Sequence, residues 1–276
     1  MQVIPLLAKE PKRENSALNM LKLIWMDLFF LVGLFFLGTV WGSFLGVLAD
    51  RIPRGESVVF PPSHCNTCKT PLALIDLLPL HAWIRGKGRC RICQSPIDRQ
   101  TLYSELLTAA LFVFLGLIHL NGGSVLKAFI FGSFAIPLSL IDMRHYRLPH
   151  KLTIPAIAAG ILLSYMLPDD SIKTSIVASI AALLFLVPIA YMKPNALGMG
   201  DAIFFGAIGS FTSLQGIMEA LIVASGTAIL ASLAWALWGL LNGRKESIRA
   251  LRIPFGPFLS LGGMTAILFP FPQWPL

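Results

Sequence analysis

The sequence predicts an all-α polytopic membrane protein with about eight transmembrane helices and a small domain between the first two. Of its 276 residues, 55% are hydrophobic and 13% are charged, whereas an average soluble domain has about 25% charged residues. Apolar runs near the roughly 20 residues that span a bilayer recur along the chain. The net charge of +8 comes from basic residues between these runs, which indicates orientation in a membrane rather than nucleic-acid binding.

Eight apolar segments are candidate spans, and they follow a polar N-terminal tail of residues 1–25. No small-residue cleavage site closes the first run, so we expect that segment to stay in the mature protein. The sixth segment has only 12 residues, which cover about 18 Å of a hydrocarbon core of about 30 Å. Either the bilayer thins there or the preceding turn lies below the membrane surface in a protein-lined cavity, and we favour the second. The predicted spans are Met26–Ala49, Leu102–Leu120, Val125–Ile141, Leu152–Leu167, Ile172–Met192, Asp201–Thr212, Ile217–Leu241 and Phe255–Phe269.

Basic residues are divided unequally between the two sides of the predicted membrane. The odd-numbered connections hold 16 of the 22 Lys and Arg residues. The positive-inside rule therefore places these connections in the cytoplasm and both termini outside. Four basic residues in the N-terminal tail argue weakly for the opposite orientation. In either orientation, the end of the third span and the start of the sixth lie on the same side.

The connection of residues 50–101 is the only one long enough to form a domain, and it carries all four cysteines. Two CxxC pairs each present two thiolates to one ion, and two such pairs form the closed tetrahedral set of structural zinc. Two disulfides or free thiols are the alternatives, and disulfides are disfavoured in the cytoplasm. We therefore predict a cytoplasmic zinc-ribbon-like domain, with His64 flanking the ligands. The expected ligands are Cys65, Cys68, Cys90 and Cys93.

Two aspartates at the ends of apolar runs are the candidate catalytic residues. Asp142 follows the run 136–141, and Asp201 follows Gly198-Met199-Gly200. An ionisable residue at a membrane segment indicates function by default, and the two glycines permit a turn with close backbone approach. Taken singly, Asp201 could instead be a helix N-cap, and Asp142 could form an ion pair with Arg144 or Arg147. Their shared side favours a functional pair.

Two neighbouring carboxylates can share one proton, which gives this pair a specific chemistry. One carboxylate polarises a water molecule while the other donates a proton to a carbonyl oxygen. This is peptide hydrolysis without a covalent intermediate. The sequence contains neither HExxH nor GxSxG, so no rival nucleophile stands out. The alternatives are a carboxylate-dependent ion or proton-coupled transporter, although such sites lie near the midplane within paired repeats, and a non-enzymatic scaffold.

Five segments, in consistent order and spacing, resemble the motifs of one family, the type IV prepilin peptidases, over nearly the whole chain after about residue 34. These bifunctional GxGD-type aspartic proteases serve type IV pilus and type II secretion systems. Three positions depart from the usual motifs: Gly46, His150 and Ile203 stand where Asn, Asp and Lys are usual. The matching segments are Gly42–Ser57, Pro61–Cys93, Tyr103–Ala109, Ile141–Thr153 and Gly198–Asp201.

The resemblance implies an enzyme of the bacterial inner (cytoplasmic) membrane that cleaves the basic leader peptide from prepilins and pseudopilins at the cytoplasmic face. It also implies N-methylation of the new N-terminus with S-adenosylmethionine. Asp142 and Asp201 match the catalytic pair, and Gly198 and Gly200 match the active-site turn. Residues 102–276 would then form the membrane-embedded peptidase domain.

The resemblance also gives Glu105 two possible roles, in methyl transfer or in support of the cytoplasmic domain. An ion pair between Glu105 and Arg51 or Arg99 is the structural alternative. The partners it implies are prepilin substrates, the lipid bilayer and components of pilus or secretion machinery.

Overall fold

The computed structural model describes residues 14–73, 80–118, 121–168, 171–193, 197–242 and 253–271, without the side chains of residues 14–26, 81, 82 and 240. Within these ranges all regular elements are helices and no strand forms, which confirms the predicted all-α class. The helices are α1 (Glu14–Arg54), α2 (His81–Ile84), α3 (Arg99–Leu117), α4 (Gly122–His145), α5 (His150–Met166), α6 (Ile172–Met192), α7 (Met199–Phe211), α8 (Leu214–Leu241) and α9 (Gly256–Leu268).

Each of the eight predicted spans falls on one of these helices, and five of the helices are long and apolar enough to cross a membrane. Among the described residues, these five are Asp27–Arg54 of α1, all of α3, α4 and α6, and Leu214–Gly239 of α8. The remaining three, α5, α7 and α9, have 17, 13 and 13 residues. The chain is therefore a multi-pass membrane protein, and three of its predicted spans are shorter than this group of five.

The first helix departs most from its predicted bounds. It begins at Glu14 rather than near Met26, inside the predicted polar tail, and it ends at Arg54 rather than near residue 49. Hydropathy marks only the apolar part of a helix, whereas polar residues with good helix propensity continue it beyond the membrane. Residues 1–13 of the predicted tail lie outside the described residues. The same applies to the four basic residues between the last two predicted spans, which are Arg244, Lys245, Arg249 and Arg252.

The end of α1 packs on α3 through a face of glycines. Gly38, Gly42 and Gly46 recur every four residues and therefore lie on one side of α1. A Cβ built on Gly42 would lie 2.5 Å from the carbonyl oxygen of Ser104 and 2.6 Å from the Cα of Glu105. Small residues at this spacing let two membrane helices pack backbone against backbone. This packing fixes the start of α3 beside the end of α1.

The short helix α7 is enclosed by its neighbours. It packs against both α5 and α6, and most of its side chains are buried. The ring of Phe204 stacks on Phe131 of α4, with a centroid distance of 6.0 Å. Phe211, at the end of α7, packs edge-on against the same Phe131 ring at 5.5 Å. Because protein rather than lipid surrounds α7, its first residues can lie below the membrane surface.

We expect Gly42→Val to push α1 away from α3, because the new side chain would meet α3 backbone rather than a movable side chain. Overpacking of this kind costs about 1–3 kcal/mol, which lowers the thermal unfolding midpoint of the detergent-solubilised chain measured by circular dichroism. Gly33→Val is the matched control, since nothing lies within 4 Å of a Cβ built there in the same helix. Equal midpoints for the two variants would contradict the proposed role of the glycine face.

Candidate active site

Asp142 lies in the last turn of α4, and its carboxylate is buried, with 5% of the residue exposed. Tyr146, the C-cap of α4, has a left-handed backbone conformation, and its N–H donates to the carbonyl of Asp142 at 2.9 Å. The backbone N–H of Gly256, the first residue of α9, donates to Oδ2 of Asp142 at 2.7 Å. Among the described residues Asp142 forms no ion pair, and Arg144 pairs with Asp98 instead. The predicted alternative of an Asp142–Arg144 ion pair is therefore wrong.

Asp201 is the third residue of α7 rather than its N-cap. The helix starts three residues earlier than a capping role would require, with Gly198 as N-cap. The Asp201 carboxylate accepts the N–H of Gly198 on Oδ2 at 3.2 Å, the reciprocal half of a capping box. Its second oxygen, Oδ1, is buried and has no hydrogen-bond partner in the described part of the chain. One carboxylate oxygen at the start of α7 thus stays available.

The predicted Gly198-x-Gly200 turn brings the two aspartates together. A Cβ on Gly200 would lie 2.7 Å from the carbonyl oxygen of Leu148, so only glycine permits this approach of the α4–α5 loop to α7. The charge of the Asp142 carboxylate consequently acts on that of Asp201. Each aspartate has one oxygen held by a glycine N–H at the start of a helix. The two carboxylates are therefore near enough for their charges to interact, as a pair that shares one proton requires.

Sequence reasoning missed Gly256, although it contacts Asp142 directly. The contact joins residues 114 positions apart, which no local spacing can reveal. A signal was nevertheless present, because Gly256 stands in the run Pro254-Phe255-Gly256-Pro257 immediately before an apolar segment. Proline and glycine together mark a turn that leads into a helix. That pattern could have identified the helix start but not the carboxylate that it faces.

The four predicted metal ligands converge at one point outside the apolar helices. Their sulfur atoms all lie within 4.8 Å of one another, and the Sγ atoms of Cys65 and Cys93 are 3.7 Å apart. All four are free thiols, so the disulfide alternative is wrong. Each CxxC pair is followed by a residue with a left-handed backbone conformation, Lys69 after the first pair and Gln94 after the second. The N–H of this residue donates to the carbonyl of the first cysteine of its pair. The two loops are thus alike and can hold one metal ion.

Residues 63–72 and 88–97, here called the cysteine module, contain hydrogen bonds that favour the thiolate at Cys65 and Cys93, whereas burial raises the pKa of Cys90. The backbone N–H of Cys68, followed by the hydroxyl of Ser95, lowers the pKa of Cys65 to about 5. The Ser95 hydroxyl is also the main cause of a lowered pKa at Cys93. A metal ion binds the deprotonated thiol, so a lowered pKa reduces the cost of releasing its proton. The donor set therefore suits a thiolate-binding metal.

Glu105 and Arg51 join the cysteine-containing segment to the membrane helices, but not through an ion pair with each other. Glu105 is 5% exposed, and its Oε2 accepts the N–H of Leu80 at 2.9 Å. Arg51 is 7% exposed and donates to the carbonyl oxygens of Ser57 at 2.9 Å and Pro62 at 3.5 Å. The predicted Glu105–Arg51 ion pair does not form among the described residues. Both side chains instead form hydrogen bonds with backbone groups of the segment between α1 and α3.

A cavity of about 600 Å³ lies between the end of α1, the cysteine module and the start of α3. Arg51 and Glu105 line it, together with Gln100 and Trp83. Its volume is within the ~300–1,000 Å³ typical of sites for small molecules. The sequence predicted the segments around this cavity but not the cavity itself, because it forms only when three segments meet.

Comparison with known families divides the chain into two matched parts. Residues 36–119 match the Bacterial Peptidase A24 N-terminal domain, and residues 129–233 match the Type IV leader peptidase family. The four cysteines, Arg51 and Glu105 fall in the first part. Asp142 and Asp201 fall in the second.

Curated relatives cover most of the chain. The type 4 prepilin-like proteins leader peptide-processing enzyme of Escherichia coli O78:H11 is 31% identical over 255 residues, 83% of this chain and 90% of the relative. Prepilin leader peptidase/N-methyltransferases of Klebsiella pneumoniae and Bacillus subtilis are 32% and 29% identical, over 74% and 86% of this chain and 92% and 93% of the relatives. No solved structure matches the chain.

The cysteine module predicts one tightly bound metal ion per chain. We expect Cys90→Ser to remove most of this metal, because three thiolates no longer close the tetrahedral set. His64→Ala is the matched control, since His64 bonds to the Pro62 carbonyl and lies outside the cysteine cluster. Elemental mass spectrometry of the purified chains measures the number of metal ions bound per chain. Equal metal content in both variants would contradict the assignment of the ligands.

Proposed function

Because this chain belongs to the Type IV leader peptidase family, we propose that it is a membrane aspartic endopeptidase with Asp142 and Asp201 as its catalytic pair. It removes the leader peptide from type IV prepilins and pseudopilins, and it N-methylates the new N-terminus. The observation that carries the peptidase proposal is the paired arrangement of the two carboxylates. Each has one oxygen held by a glycine N–H, and Oδ1 of Asp201 is buried without a partner.

The reaction follows from two carboxyl groups that share one proton. The ionised member takes a proton from a water molecule as the water oxygen attacks the scissile carbonyl carbon. The protonated member donates its proton to the carbonyl oxygen, which gives a neutral tetrahedral diol. Collapse of the diol breaks the C–N bond and delivers a proton to the leaving amine. No bond forms between enzyme and substrate, because the water molecule is the nucleophile.

The position of the pair fits a substrate that is itself a membrane helix. Asp142 ends α4 and Asp201 begins α7, so the carboxylates lie at one end of the bundle. A substrate helix in the bilayer can present its polar end to that position from the side. We assign this end of the bundle to the cytoplasmic face of the bacterial inner membrane. The chain is proposed to cross that membrane eight times. The excess of Lys and Arg in the odd-numbered connections supports this orientation.

The cysteine module is proposed to hold a structural zinc ion. Four thiolates in a closed set are the ligands that zinc prefers in structural sites, and no position is left open for catalysis. The ion would fix the two CxxC loops against each other and thereby order the segment that leads into α3. For N-methylation, S-adenosylmethionine is the proposed methyl donor. Pilus or secretion components are the proposed partners besides the prepilins.

We expect Asp142→Asn and Asp201→Asn each to abolish cleavage of a co-expressed prepilin. Loss of general acid–base catalysis lowers a rate by about 10²–10⁴-fold, and the isosteric amide keeps the size of each side chain. Intact-mass spectrometry of the substrate reports removal of the leader and addition of one methyl group in the same spectrum.

Asp27→Asn is the control for these two variants, because Asp27 is an exposed residue at the start of the apolar part of α1. Cleavage by either active-site variant at the rate of the control would refute the aspartic mechanism. A pH-linked ion flux without any processing of prepilins would instead favour the transporter reading. Full tolerance of both substitutions by pilus assembly would favour a scaffold.

The contact between Gly256 and Asp142 gives a second prediction for cleavage. In Gly256→Ala the new Cβ would lie 2.9 Å from Oδ2 of Asp142, so the carboxylate must shift. A displacement of a catalytic group costs up to about 10²-fold in rate, and we expect kcat to fall with little change in KM. Gly263 lies in the same helix as Gly256, and a Cβ there would crowd Phe131 of α4. Gly263→Ala should therefore lower stability without this loss of kcat. Similar kcat values for the two variants would exclude a positioning role for Gly256.

A further inference from the structure

We propose that Glu219 is a positioning residue for the peptidase reaction, because it fixes the far end of α9, the helix whose first residue holds Asp142. Glu219 lies in the second turn of α8 and is 5% exposed. The surrounding segment is apolar and long enough to cross a membrane, where a carboxylate indicates a function by default. The two-aspartate mechanism does not use this carboxylate. The proposal rests on the peptidase function proposed above and adds a residue to it.

The Glu219 carboxylate bonds to the chain just beyond the end of α9. Its Oε1 accepts the backbone N–H of Phe271 at 3.0 Å and the side-chain Nε2 of Gln215 at 3.1 Å. The same Nε2 donates to the carbonyl oxygen of Phe271 at 3.1 Å. Two side chains one turn apart on α8 therefore hold both main-chain groups of a single residue. A buried carboxylate without such partners would be costly, so this contact fixes where the chain leaves α9.

The helix α9 is consequently bonded at both of its ends. At its start, the N–H of Gly256 donates to Oδ2 of Asp142 at 2.7 Å. Three residues beyond its last residue, Phe271 is held by Glu219. The helix has 13 residues, which correspond to about 20 Å. Because a helix this short moves along its axis as a unit, the position of Phe271 sets the position of the Gly256 N–H.

Apolar packing alone does not fix α9 along its axis. A Cβ built on Gly262 would collide with the carbonyl oxygen of Ala220, the residue after Glu219, so the two backbones pack closely there. Dispersion and hydrophobic contacts of this kind are non-directional, whereas hydrogen bonds have preferred distances and angles. The Ser139–Ser260 hydroxyl pair supplies one such bond to α4 at 2.8 Å, and Glu219 supplies the bond to α8.

Paired substitutions at Phe271 test the contact without changing a buried side chain, since Phe271 is 52% exposed. Phe271→Pro removes the N–H that Glu219 accepts and leaves the carbonyl oxygen, whereas Phe271→Ala keeps both main-chain groups. We expect Phe271→Pro to lower kcat for cleavage of a purified prepilin by about tenfold with little change in KM, because a catalytic group is displaced. Phe271→Ala is the matched control and should keep kcat within about twofold of the wild type.

Substitutions at Glu219 test the other side of the contact. Glu219→Leu removes the acceptor and should lower kcat as Phe271→Pro does. Glu219→Gln keeps an oxygen that can accept the Phe271 N–H, and it should retain most of the rate. The double variant Glu219→Leu/Gly256→Ala separates positioning from a general loss of stability. If Glu219 acts through Gly256, this variant has the same kcat as Gly256→Ala alone, because both substitutions disturb one contact.

The outcomes distinguish this proposal from the proposed function. Failure of the wild type to cleave a prepilin would overturn the peptidase function, and the role of Glu219 with it. Normal kcat in Phe271→Pro or in folded Glu219→Leu, with cleavage intact in the wild type, would overturn the proposal alone. Losses that multiply in the double variant would also overturn it, since Glu219 would then act independently of Gly256. If Glu219→Leu does not fold, the two Phe271 variants decide.

Discussion

Placing two carboxylates at the end of an apolar helix bundle costs free energy that only donors within the protein can offset. Here the donors are backbone N–H groups of Gly256 and Gly198, each at the start of a helix. The first N–H groups of a helix have no partner in the helix itself, and the helix dipole favours negative charge at that end. The start of α9 therefore has to meet the end of α4, which carries Asp142, whereas Asp201 is held at the start of its own helix, α7. This requirement determines how α4 and α9 are arranged.

The cysteine module is tied to that arrangement through the segment that leads from its second CxxC loop into α3. The N–H of Ile97 donates to the carbonyl of Gly88 at 2.8 Å, so this segment follows directly from the ordered module. Asp98 then caps α3 through Gln100 N–H at 3.0 Å and pairs with Arg144 of α4. A metal ion held by the four thiols would order residues that are distant from the carboxylates in sequence, and one ion pair connects these residues to the helix that carries Asp142.

The features that the sequence predicted correctly are those encoded within a few residues. Two CxxC pairs predict four thiols that converge, and Gly198-x-Gly200 predicts a close backbone approach beside Asp201. The contacts of Gly256 with Asp142 and of Gln100 with Arg144 join distant segments, so no spacing reveals them. The helix α1 begins before the predicted span because hydropathy measures transfer into lipid, whereas helix propensity extends a helix beyond the lipid. The glycine face of α1 has a recognisable spacing, but its partner could not be deduced from α1 alone.

The close packing of α1 on α3 extends to the wall of the cavity. A Cβ on Gly46 would lie 2.6 Å from the Oγ of Ser104 but 3.5 Å from the Cα of Thr101, so a larger side chain would first require the Ser104 hydroxyl to move. Gly46 itself lines the cavity, as do Gln100 and Glu105 on the facing helix. The departure from the usual family residue at this position is therefore a change in the cavity wall, because residue 46 lies where α1, α3 and the cavity meet.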